Sequence, residues 1–381
     1  MDTIQVYKYA LYTLSSTSDD LICIGHKLPP DTMRIDDFRV GKDGVYFIAE
    51  AGVNHNGDLE MAEELVDVAA EAGADAVKFQ TFCADRLVTS NAETVEYQQD
   101  SDISGTQYEM LSQYELDHAD HERLREHCEN RGITFLSTPF DPESAEMLAD
   151  LGVPAIKVGS GELNNLPLLK HIAGLSVPMI ISTGMGTMQE VRNARDAILA
   201  KEPDAEAAFL HCTSAYPCEM SDVNLRAMET MARELPEPVG YSDHTTAPET
   251  PAIAVAAGAE IVEKHFTLNS SLPGPDHEAS LEPPELSNAV SLVRDANLAR
   301  GKSKKSPVPV ETENRSALRK GLHAAVDLPP NTVLEDHHID ILRPADGLSP
   351  RYRETVLGTR VVRELDSGDP ITETDVSWEK D

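Results

Sequence analysis

Lysine and serine side chains recur in this sequence directly after short apolar runs, where a folded chain would present them at the ends of strands. The lysines are Lys78 and Lys157, and the nearby hydroxyl groups belong to Ser160, Ser182 and Ser242. Ammonium groups surrounded by hydroxyl and backbone N–H donors can bind an anion such as a phosphate. One lysine at a strand end can simply reach solvent, but two lysines with three serines favour an anion site.

Two histidines follow the same pattern. His244 and His265 come at the ends of consecutive apolar runs, so their imidazoles could bind one divalent ion, and Mn²⁺, Zn²⁺, Co²⁺ and Fe²⁺ all accept such ligands. A single histidine in a barrel wall is usually held by hydrogen bonds, whereas two neighbouring histidines beside a carboxylate favour a metal site. Further polar residues end the same or neighbouring runs, namely Glu50, Gln80, Glu162, Ser214, Tyr216, Asp243 and Lys264, and Asp276 follows on the loop behind the eighth strand.

The segments that carry these residues alternate between strand and helix patterns. Apolar runs predict eight strands, at residues 45–52, 75–81, 134–139, 155–162, 178–184, 208–214, 239–245 and 260–267. Apolar residues spaced by three and four predict helices between them, as at 59–74 and 120–132. Glycines precede several of the strands at positions expected for helix C-caps, namely Gly73, Gly132, Gly152 and Gly258.

Eight such units over about 225 residues predict an α/β fold of the (β/α)₈ TIM-barrel type. In that fold the carboxyl ends of all strands face one cavity, and catalytic groups come from several strands at once. A doubly wound open sheet is the alternative. It usually carries a GxGxxG turn after the first strand, where this chain has Ala51-Gly52-Val53-Asn54.

The barrel is predicted to occupy residues 33–300. Residues 1–32 form an extension without motifs; an extra strand, a disordered segment and a misassigned start before Met33 all remain open. Residues 301–314 have the Lys, Ser and Pro composition of a linker, and residues 315–381 predict a small domain of short strands and turns. Because so small a domain is marginally stable alone, we expect it to pack on the barrel or on a partner subunit.

The chain is strongly acidic, with 66 Asp and Glu against 32 Lys and Arg and a formal net charge of −34. This balance argues against nucleic acid or anionic membranes as partners. The acidic residues are dispersed, which fits a halophilic protein kept soluble in high salt. No apolar run approaches the ~18 residues of a membrane span, and no signal peptide pattern is present. The five cysteines form no CxxC pair, so we expect reduced thiols in a cytoplasmic protein.

Motifs at the predicted strand ends resemble those of one known family, and they occur in the same order: IAEAGVNHNG, VKFQTF, IKVGSGE, STGM, HCTSAYP, GYSDHT, EKHFT and GPDHEASLEP. Together they resemble the sialic acid synthase family, which comprises N-acetylneuraminate synthase and its legionaminate and pseudaminate relatives. The resemblance runs from about Met33 to the C-terminus, where ILRPADGLSP looks like an antifreeze-like (SAF) domain.

The resemblance implies a transferase that condenses phosphoenolpyruvate (PEP) with an N-acetylmannosamine-type sugar and releases phosphate. It implies a divalent metal at His244 and His265, with Mn²⁺ as the first choice and Mg²⁺ or Co²⁺ as alternatives. Implied PEP-binding residues are Lys78, Lys157, Ser160, Ser182, Ser214 and Ser242. Ser214 stands where bacterial relatives commonly have asparagine, so its contact with PEP departs from the family pattern.

The resemblance also implies residues for the sugar and for catalysis. Implied sugar contacts are Gln80, Glu162, Tyr216, Asp276 and Arg343, with Arg343 reaching in from the small domain of the other subunit of a domain-swapped homodimer. Catalytic roles fall to Glu50, Tyr216 and Asp276, and Glu50 fits either a base or an electrostatic stabiliser.

Other functions remain open at this point. A legionaminate or pseudaminate synthase would take a 2,4-diacetamido-2,4,6-trideoxyhexose instead. Octulosonate phosphate synthases carry out a related condensation but lack an antifreeze-like tail. A Schiff-base aldolase would use an internal lysine without needing paired histidines. A carbohydrate-binding barrel without catalysis would need neither the histidines nor the lysines.

Overall fold

The computed structural model describes residues 33–89 and 106–378 of the 381-residue chain. The predicted extension at residues 1–32 therefore lies outside the described residues. Two short antiparallel strands, β1 (Arg34–Ile35) and β2 (Phe38–Arg39), come first.

Eight parallel strands then close into a barrel, which confirms the predicted (β/α)₈ TIM-barrel fold. The strands are β3 (Tyr46–Gly52), β4 (Ala76–Thr81), β5 (Thr134–Pro139), β6 (Ile156–Val158), β7 (Met179–Ser182), β8 (Ala207–His211), β9 (Val239–Asp243) and β10 (Ile261–His265). Each strand pairs with the next in sequence, and β10 pairs with β3 to close the ring. At this closure His265 lies opposite Glu50, so two predicted site residues are neighbours across the seam.

Alternation along the strands divides the side chains between two cores. An inner cluster fills the barrel away from the carboxyl ends of the strands and includes Tyr46, Ile48, Leu136, Ile180, Leu210 and Ile261. A larger cluster lies between the outer face of the strands and the helices, and it includes Phe47, Phe79, Phe209, Tyr241 and Val262. The barrel interior is thus packed in the manner of a core, and only its carboxyl end is left for polar side chains.

The helices of this part of the chain are α1 (Leu59–Ala72), α2 (Ala84–Leu87), α3 (Gln107–Leu111), α4 (His118–Arg131), α5 (Pro142–Leu151), α6 (Leu166–Ala173), α7 (Met188–Lys201), α8 (Arg226–Glu234), α9 (Thr250–Ala257) and α10 (Pro283–Arg300). Side chains of Asp58, Asp117 and Asp141 accept from backbone N–H groups at the starts of α1, α4 and α5. The predicted C-cap glycines end α1, α4, α5 and α9, all with positive φ.

The chain divides into two compact units between Gly301 and Lys302. The second unit contains α11 (Glu311–Leu318), the antiparallel strands β11 (Gly321–Ala324) and β12 (Ile339–Leu342), and α12 (Arg353–Val356). It has its own apolar core, which includes Leu322, Leu328, Val361, Leu365 and Ile371. Helix α11 crosses residue 314, where the sequence predicts the linker to end. Among the described residues, no helix is long and apolar enough to cross a membrane.

Candidate active site

A cavity of about 470 Å³ lies at the carboxyl end of the barrel strands. Its lining contains nearly all of the site residues that the sequence predicts in the barrel: Glu50, Lys78, Gln80, Lys157, Ser160, Ser182, Ser214, Tyr216, Ser242, His244, His265 and Asp276. These residues come from strands and loops that are up to 226 positions apart in the sequence. The barrel topology brings them together.

Four charged side chains form a buried row in this cavity. Lys78 Nζ lies 3.0 Å from Glu50 Oε2 and 3.5 Å from Glu263 Oε2. Lys157 Nζ lies 3.4 Å from Glu263 Oε1, and Ser242 Oγ donates to the same oxygen at 2.8 Å. Each of the four side chains is at most 4% exposed. Two ammonium groups therefore face two carboxylates in a site shielded from bulk water.

Burial and mutual charge set the protonation of this row. Burial raises the pKa of Glu50, and the neighbouring Lys78 charge offsets only part of the effect. Burial would also raise the pKa of Glu263, but the charges of Lys157 and Lys78 outweigh it and the pKa is lowered. Burial lowers the pKa of Lys157, whereas for Lys78 the nearby carboxylates overcome burial and raise the pKa. Glu50 is thus the carboxyl group of the row that most readily holds a proton.

Hydroxyl groups and backbone donors surround the two lysines. Lys157 Nζ donates to Ser182 Oγ at 2.7 Å, and the backbone N–H of Gly184 donates to Ser160 Oγ at 3.0 Å. A Cβ on Gly184 would lie 2.3 Å from Ser214 Oγ and 2.8 Å from Ser160 Oγ, so only glycine allows these hydroxyls to converge. Ser214 Oγ is buried without a hydrogen-bond partner in the protein. A buried hydroxyl without a partner is available to a ligand.

The two predicted metal ligands face each other beside this anion site. The ring centroids of His244 and His265 are 5.5 Å apart. His244 Nδ1 lies 2.6 Å from the carbonyl oxygen of Thr213. Because a carbonyl oxygen only accepts, Nδ1 carries the proton and the lone pair of Nε2 is left for a ligand. His265 Nδ1 is buried without a hydrogen-bond partner.

These histidines fit a shared metal ion. A metal–imidazole bond of about 2.1 Å keeps the ring centroids of two ligands on one ion within about 6.5 Å, which the pair satisfies. Burial lowers the pKa of both rings, so they are neutral, as metal binding requires. Among residues 33–89 and 106–378, no three His, Cys, Asp or Glu side chains converge on a common metal position. The protein would thus supply two ligands and leave other positions to water or substrate.

Two further predicted residues, Asp276 and Gln80, meet Glu50 around Gly52. A Cβ at this position would lie 3.4 Å from Asp276 Oδ2, 3.4 Å from Glu50 Oε1 and 3.5 Å from Gln80 Nε2. Gly52 has φ +56°, which glycine adopts without strain. Burial raises the pKa of Asp276 to about 6, although the Lys78 charge acts in the opposite direction. Polar groups that can both donate and accept therefore line this side of the cavity.

The Tyr216 ring, which also lines the cavity, lies against both histidine rings. Its centroid is 4.3 Å from that of His244 and 5.9 Å from that of His265. It therefore covers the imidazole pair, in agreement with its predicted place in the cavity.

Some predicted residues lie elsewhere. Glu162 is not among the cavity-lining residues, because the chain turns into a 3₁₀ helix at Ser160–Glu162 and its carboxylate accepts from Asn165 Nδ2 at 2.6 Å. Arg343 belongs to the second compact unit, where it is exposed.

Asp243 and Lys264, which the sequence groups with the strand-end residues of the cavity, do not line it. Alternation along β9 and β10 turns them to the outer face of the barrel, where they pair at 2.6 Å. Their grouping with the cavity was wrong.

The same alternation identifies residues that sequence reasoning missed. Glu263 lies two positions before His265 and therefore shares its inward face, where it contacts both lysines. Applying the two-residue period to the sequence Glu-Lys-His would have selected Glu263 instead of Lys264. Thr138, which accepts from Lys78 Nζ at 2.9 Å, lies one position before the end of β5 and follows the same rule.

Comparison with known proteins places this architecture in a family. The chain matches the NeuB family over residues 65–305 and the SAF domain over residues 319–377. It is 45% identical over 338 residues to an N,N'-diacetyllegionaminic acid synthase of Legionella pneumophila, covering 88% of this chain and 94% of that protein. A protein of the same name from Campylobacter jejuni is 39% identical over 328 residues, covering 86% and 98%.

The fold is also shared with a solved structure. The N-acetylneuraminic acid (sialic acid) synthetase of Leptospira borgpetersenii superposes with a TM-score of 0.68 at 33% identity, covering 74% of this chain and 94% of that one. The fold is that of a TIM-barrel protein of the sialic acid synthase class. The chain belongs to the NeuB family and carries a C-terminal SAF domain, which confirms the predicted family.

Proposed function

We propose that this protein is a nonulosonic acid synthase, a transferase that condenses PEP with an N-acetylmannosamine-type sugar and releases phosphate. The observation that carries this proposal is the joint placement, in one buried cavity, of two lysines with serine hydroxyls and two facing imidazoles. Names of similar proteins, which are legionaminic and sialic acid synthases, support the same reaction class.

The lysines and serines would bind the anionic PEP. Lys157 and Ser182 are already in contact, and Ser160 and Ser214 add hydroxyl groups at the Gly184 turn. Ammonium groups held in a shielded cavity stabilise phosphate charge more strongly than they would in water. They would also stabilise the phosphate as it leaves, when the C2–O bond of the intermediate breaks and phosphate takes both electrons.

The remaining polar groups would handle the sugar and the protons. C3 of PEP attacks the C1 aldehyde of the open-chain sugar, which creates a cationic centre at C2 that water captures. Glu50, whose pKa is raised by burial, is suited to accept the proton of that water. Asp276 and Gln80 converge next to Glu50, where they can bind sugar hydroxyls and hold the aldehyde in place. A divalent metal between His244 and His265, for which we retain Mn²⁺ as first choice, would supply Lewis-acid polarisation of the aldehyde.

The identity of the sugar is a further part of the proposal. Identity is 45% and 39% to the two N,N'-diacetyllegionaminic acid synthases and 33% to the N-acetylneuraminic acid synthetase. This gradient favours a 2,4-diacetamido-2,4,6-trideoxyhexose as the acylamino sugar, over N-acetylmannosamine itself. We also retain from the sequence the proposals of a cytoplasmic location and of a domain-swapped homodimer.

A competition assay tests the reaction and the sugar together. The full-length protein with Mn²⁺ and PEP is offered N-acetylmannosamine, its 6-phosphate and 2,4-diacetamido-2,4,6-trideoxymannose. Phosphate release is measured, and the products are identified by mass. We expect release with the diacetamido sugar above all. Release with none of the three sugars would indicate a carbohydrate-binding barrel without catalysis.

A variant of the second unit tests the domain-swapped arrangement. Arg343→Ala is expected to raise the apparent KM for the sugar by about tenfold, as loss of one charged hydrogen bond would, and to leave the KM for PEP within about twofold. The neighbouring exposed Arg351→Ala serves as control. Equal increases in both KM values would contradict a sugar contact by Arg343.

A further inference from the structure

A buried ion pair lies behind the two histidines, on the outer face of β9 and β10. Lys264 Nζ is 2.6 Å from Asp243 Oδ2, and neither side chain is exposed to solvent. Asp243 directly precedes His244 in the sequence, and Lys264 directly precedes His265. Neither residue lines the cavity, so the reaction proposed above makes no direct use of them.

His244 lies just beyond the hydrogen-bonded part of its strand. Strand β9 ends at Asp243, and its register with β10 ends at the pair of Asp243 and Lys264. From His244 onward the ladder no longer determines the backbone conformation. The direction of the His244 imidazole therefore depends on other contacts. Its Nδ1 donates to the Thr213 carbonyl oxygen at 2.6 Å, and its backbone carbonyl accepts from the Cys218 N–H at 2.8 Å.

The Lys264 ammonium provides contacts on both sides of His244. It donates to Asp243 Oδ2 on one side, and to the carbonyl oxygen and hydroxyl of Thr245 on the other. The backbone N–H of Thr245 also donates to Asp243 Oδ1 at 3.0 Å. An ammonium group has three donors, and these three acceptors use all of them. One side chain thus ties both neighbours of His244 to the residue that precedes His265.

We propose that Lys264 is a positioning residue that fixes the His244 and His265 imidazoles at the spacing needed to bind one divalent metal ion. The inference rests on the metal site of the proposed function. A buried ion pair is not required for stability, since apolar residues of similar volume often replace both partners without loss. Metal ligands, in contrast, must be held within about 0.5 Å of their productive positions.

Direct Mn²⁺ binding to the full-length protein tests this role. Electron paramagnetic resonance reports the free Mn²⁺ in a titration, and high salt suppresses binding to the acidic surface. The part of the binding that is lost in His265→Ala defines the specific site. We expect Lys264→Met to weaken that binding at least tenfold. The control is Val262→Ala, which is also buried on the outer face of β10, and its affinity is expected to stay within twofold of wild type.

The double variant Asp243→Asn/Lys264→Met distinguishes the positioning role of Lys264 from the effect of leaving the Asp243 charge unpaired. It leaves no buried charge without a partner, and it removes the contacts that Lys264 makes with Asp243 and Thr245. We expect its Mn²⁺ affinity to remain at least tenfold below wild type. Recovery of wild-type affinity in the double variant would overturn the proposal.

Lys264→Met leaves Asp243 unpaired and can therefore prevent folding. In that case Asp243→Asn, which keeps the shape of the side chain, carries the test. A loss of at least threefold in Mn²⁺ affinity supports the proposal, and a loss no larger than that of Val262→Ala overturns it. Absence of His265-dependent binding in the wild type would refute the metal site itself. Unchanged affinity in Lys264→Met would refute only the role of Lys264.

Discussion

The interior of the barrel has two layers, and strands of the same barrel supply opposite kinds of side chain to them. The lower layer consists of the buried apolar cluster that includes Tyr46, Ile48, Leu136, Ile180 and Ile261. The upper layer consists of the charged and hydroxyl-bearing side chains of the cavity, which include Glu50, Lys78, Lys157, Glu263 and His265. Both layers are almost fully shielded from solvent.

The difference between the layers separates stability from function. Apolar side chains in the lower layer lose their contact with water and gain close packing, and both effects favour folding. Charges in the upper layer lose their hydration and recover only part of it from each other. Among the upper-layer atoms, Ser214 Oγ and His265 Nδ1 are buried without hydrogen-bond partners. Such a layer is explained by ligands that complete it.

The largest expected effect comes from removing an upper-layer imidazole. His265→Ala should lower the rate of phosphate release by about three orders of magnitude or more, because metal polarisation of a carbonyl is worth several kcal/mol. The melting temperature is expected to change little. His211→Ala is the matched control, since His211 also ends a barrel strand but contacts the Val223 carbonyl instead of lining the cavity. Full activity in His265→Ala would show that the upper layer takes no part in the reaction.

The opposite result is expected in the lower layer. Ile180 is fully buried on β7, directly opposite Lys157 of β6. Ile180→Ala should lower the free energy of unfolding by about 2–5 kcal/mol, the usual cost of a cavity left by such a truncation. Urea denaturation measures this loss, and kcat/KM at a temperature where the variant is folded should stay within twofold. A large loss of activity without loss of stability would contradict the division into layers.

Lys157→Met tests the upper layer at the residue that pairs with Ile180 across the β6–β7 ladder. Loss of an ammonium group that contacts Ser182 and Glu263 should lower kcat/KM for PEP about a hundredfold, as expected for one charge-assisted contact to a bound anion. Stability is expected to change by much less than in Ile180→Ala, because Glu263 keeps its contacts with Lys78 and Ser242. Steady-state kinetics and urea denaturation distinguish the two variants. A stability loss equal to that of Ile180→Ala would show that both layers serve the fold alike.

The smallest expected effect is a gain of stability that depends on pH. Burial raises the pKa of Asp276 to about 6, above its ordinary value of about 3.9 in an unfolded chain. The folded protein holds this proton more tightly than the unfolded chain. The free energy of unfolding therefore falls as the pH rises from about 4 to 6, and the loss stays constant above pH 6. Asp276→Asn should therefore raise the free energy of unfolding by about 1–3 kcal/mol at pH 8 and by almost nothing at pH 4.

Urea denaturation without ligands, in the same salt at both pH values, measures this difference. Asp150→Asn, on the exposed side of α5, is the control for general charge effects of removing one acidic group. An equal difference at pH 4 and pH 8 would show that burial of Asp276 is not the cause. The same variant should weaken binding of the sugar.

The sequence predicted the strands well because their apolar runs are short, repeated and separated by helical patterns. Seven of the eight observed strands lie within the predicted ranges, and β8 begins one residue earlier, at Ala207. The strands end earlier than predicted where polar residues follow, as at Val158 and Asp243, because the chain turns toward the cavity there. The periodicity of the sequence locates a strand but does not show where its hydrogen-bonded pairing ends.

The amino-acid sequence by itself determined the barrel, the family and the residue types at the carboxyl ends of the strands. Alternation of strands and helices, the glycine C-caps and the order of the motifs are all local properties of the chain. Alternation along each strand separates neighbouring side chains, and the tertiary structure decided which of the two faces points into the barrel. Glu263 and Lys264 are adjacent and both ionisable, yet closure of the barrel turns one into the cavity and the other into an ion pair behind it.

The contacts within the row of four charged side chains also exist only in the folded chain. The row from Glu50 to Lys157 joins residues of four strands that meet only when β10 pairs with β3. Its pKa shifts arise from burial and from charges brought within about 3.5 Å, and neither quantity exists in an extended chain. The residue types at the strand ends indicate the chemistry of the site, but the geometry and the protonation states of these residues follow from the closed barrel.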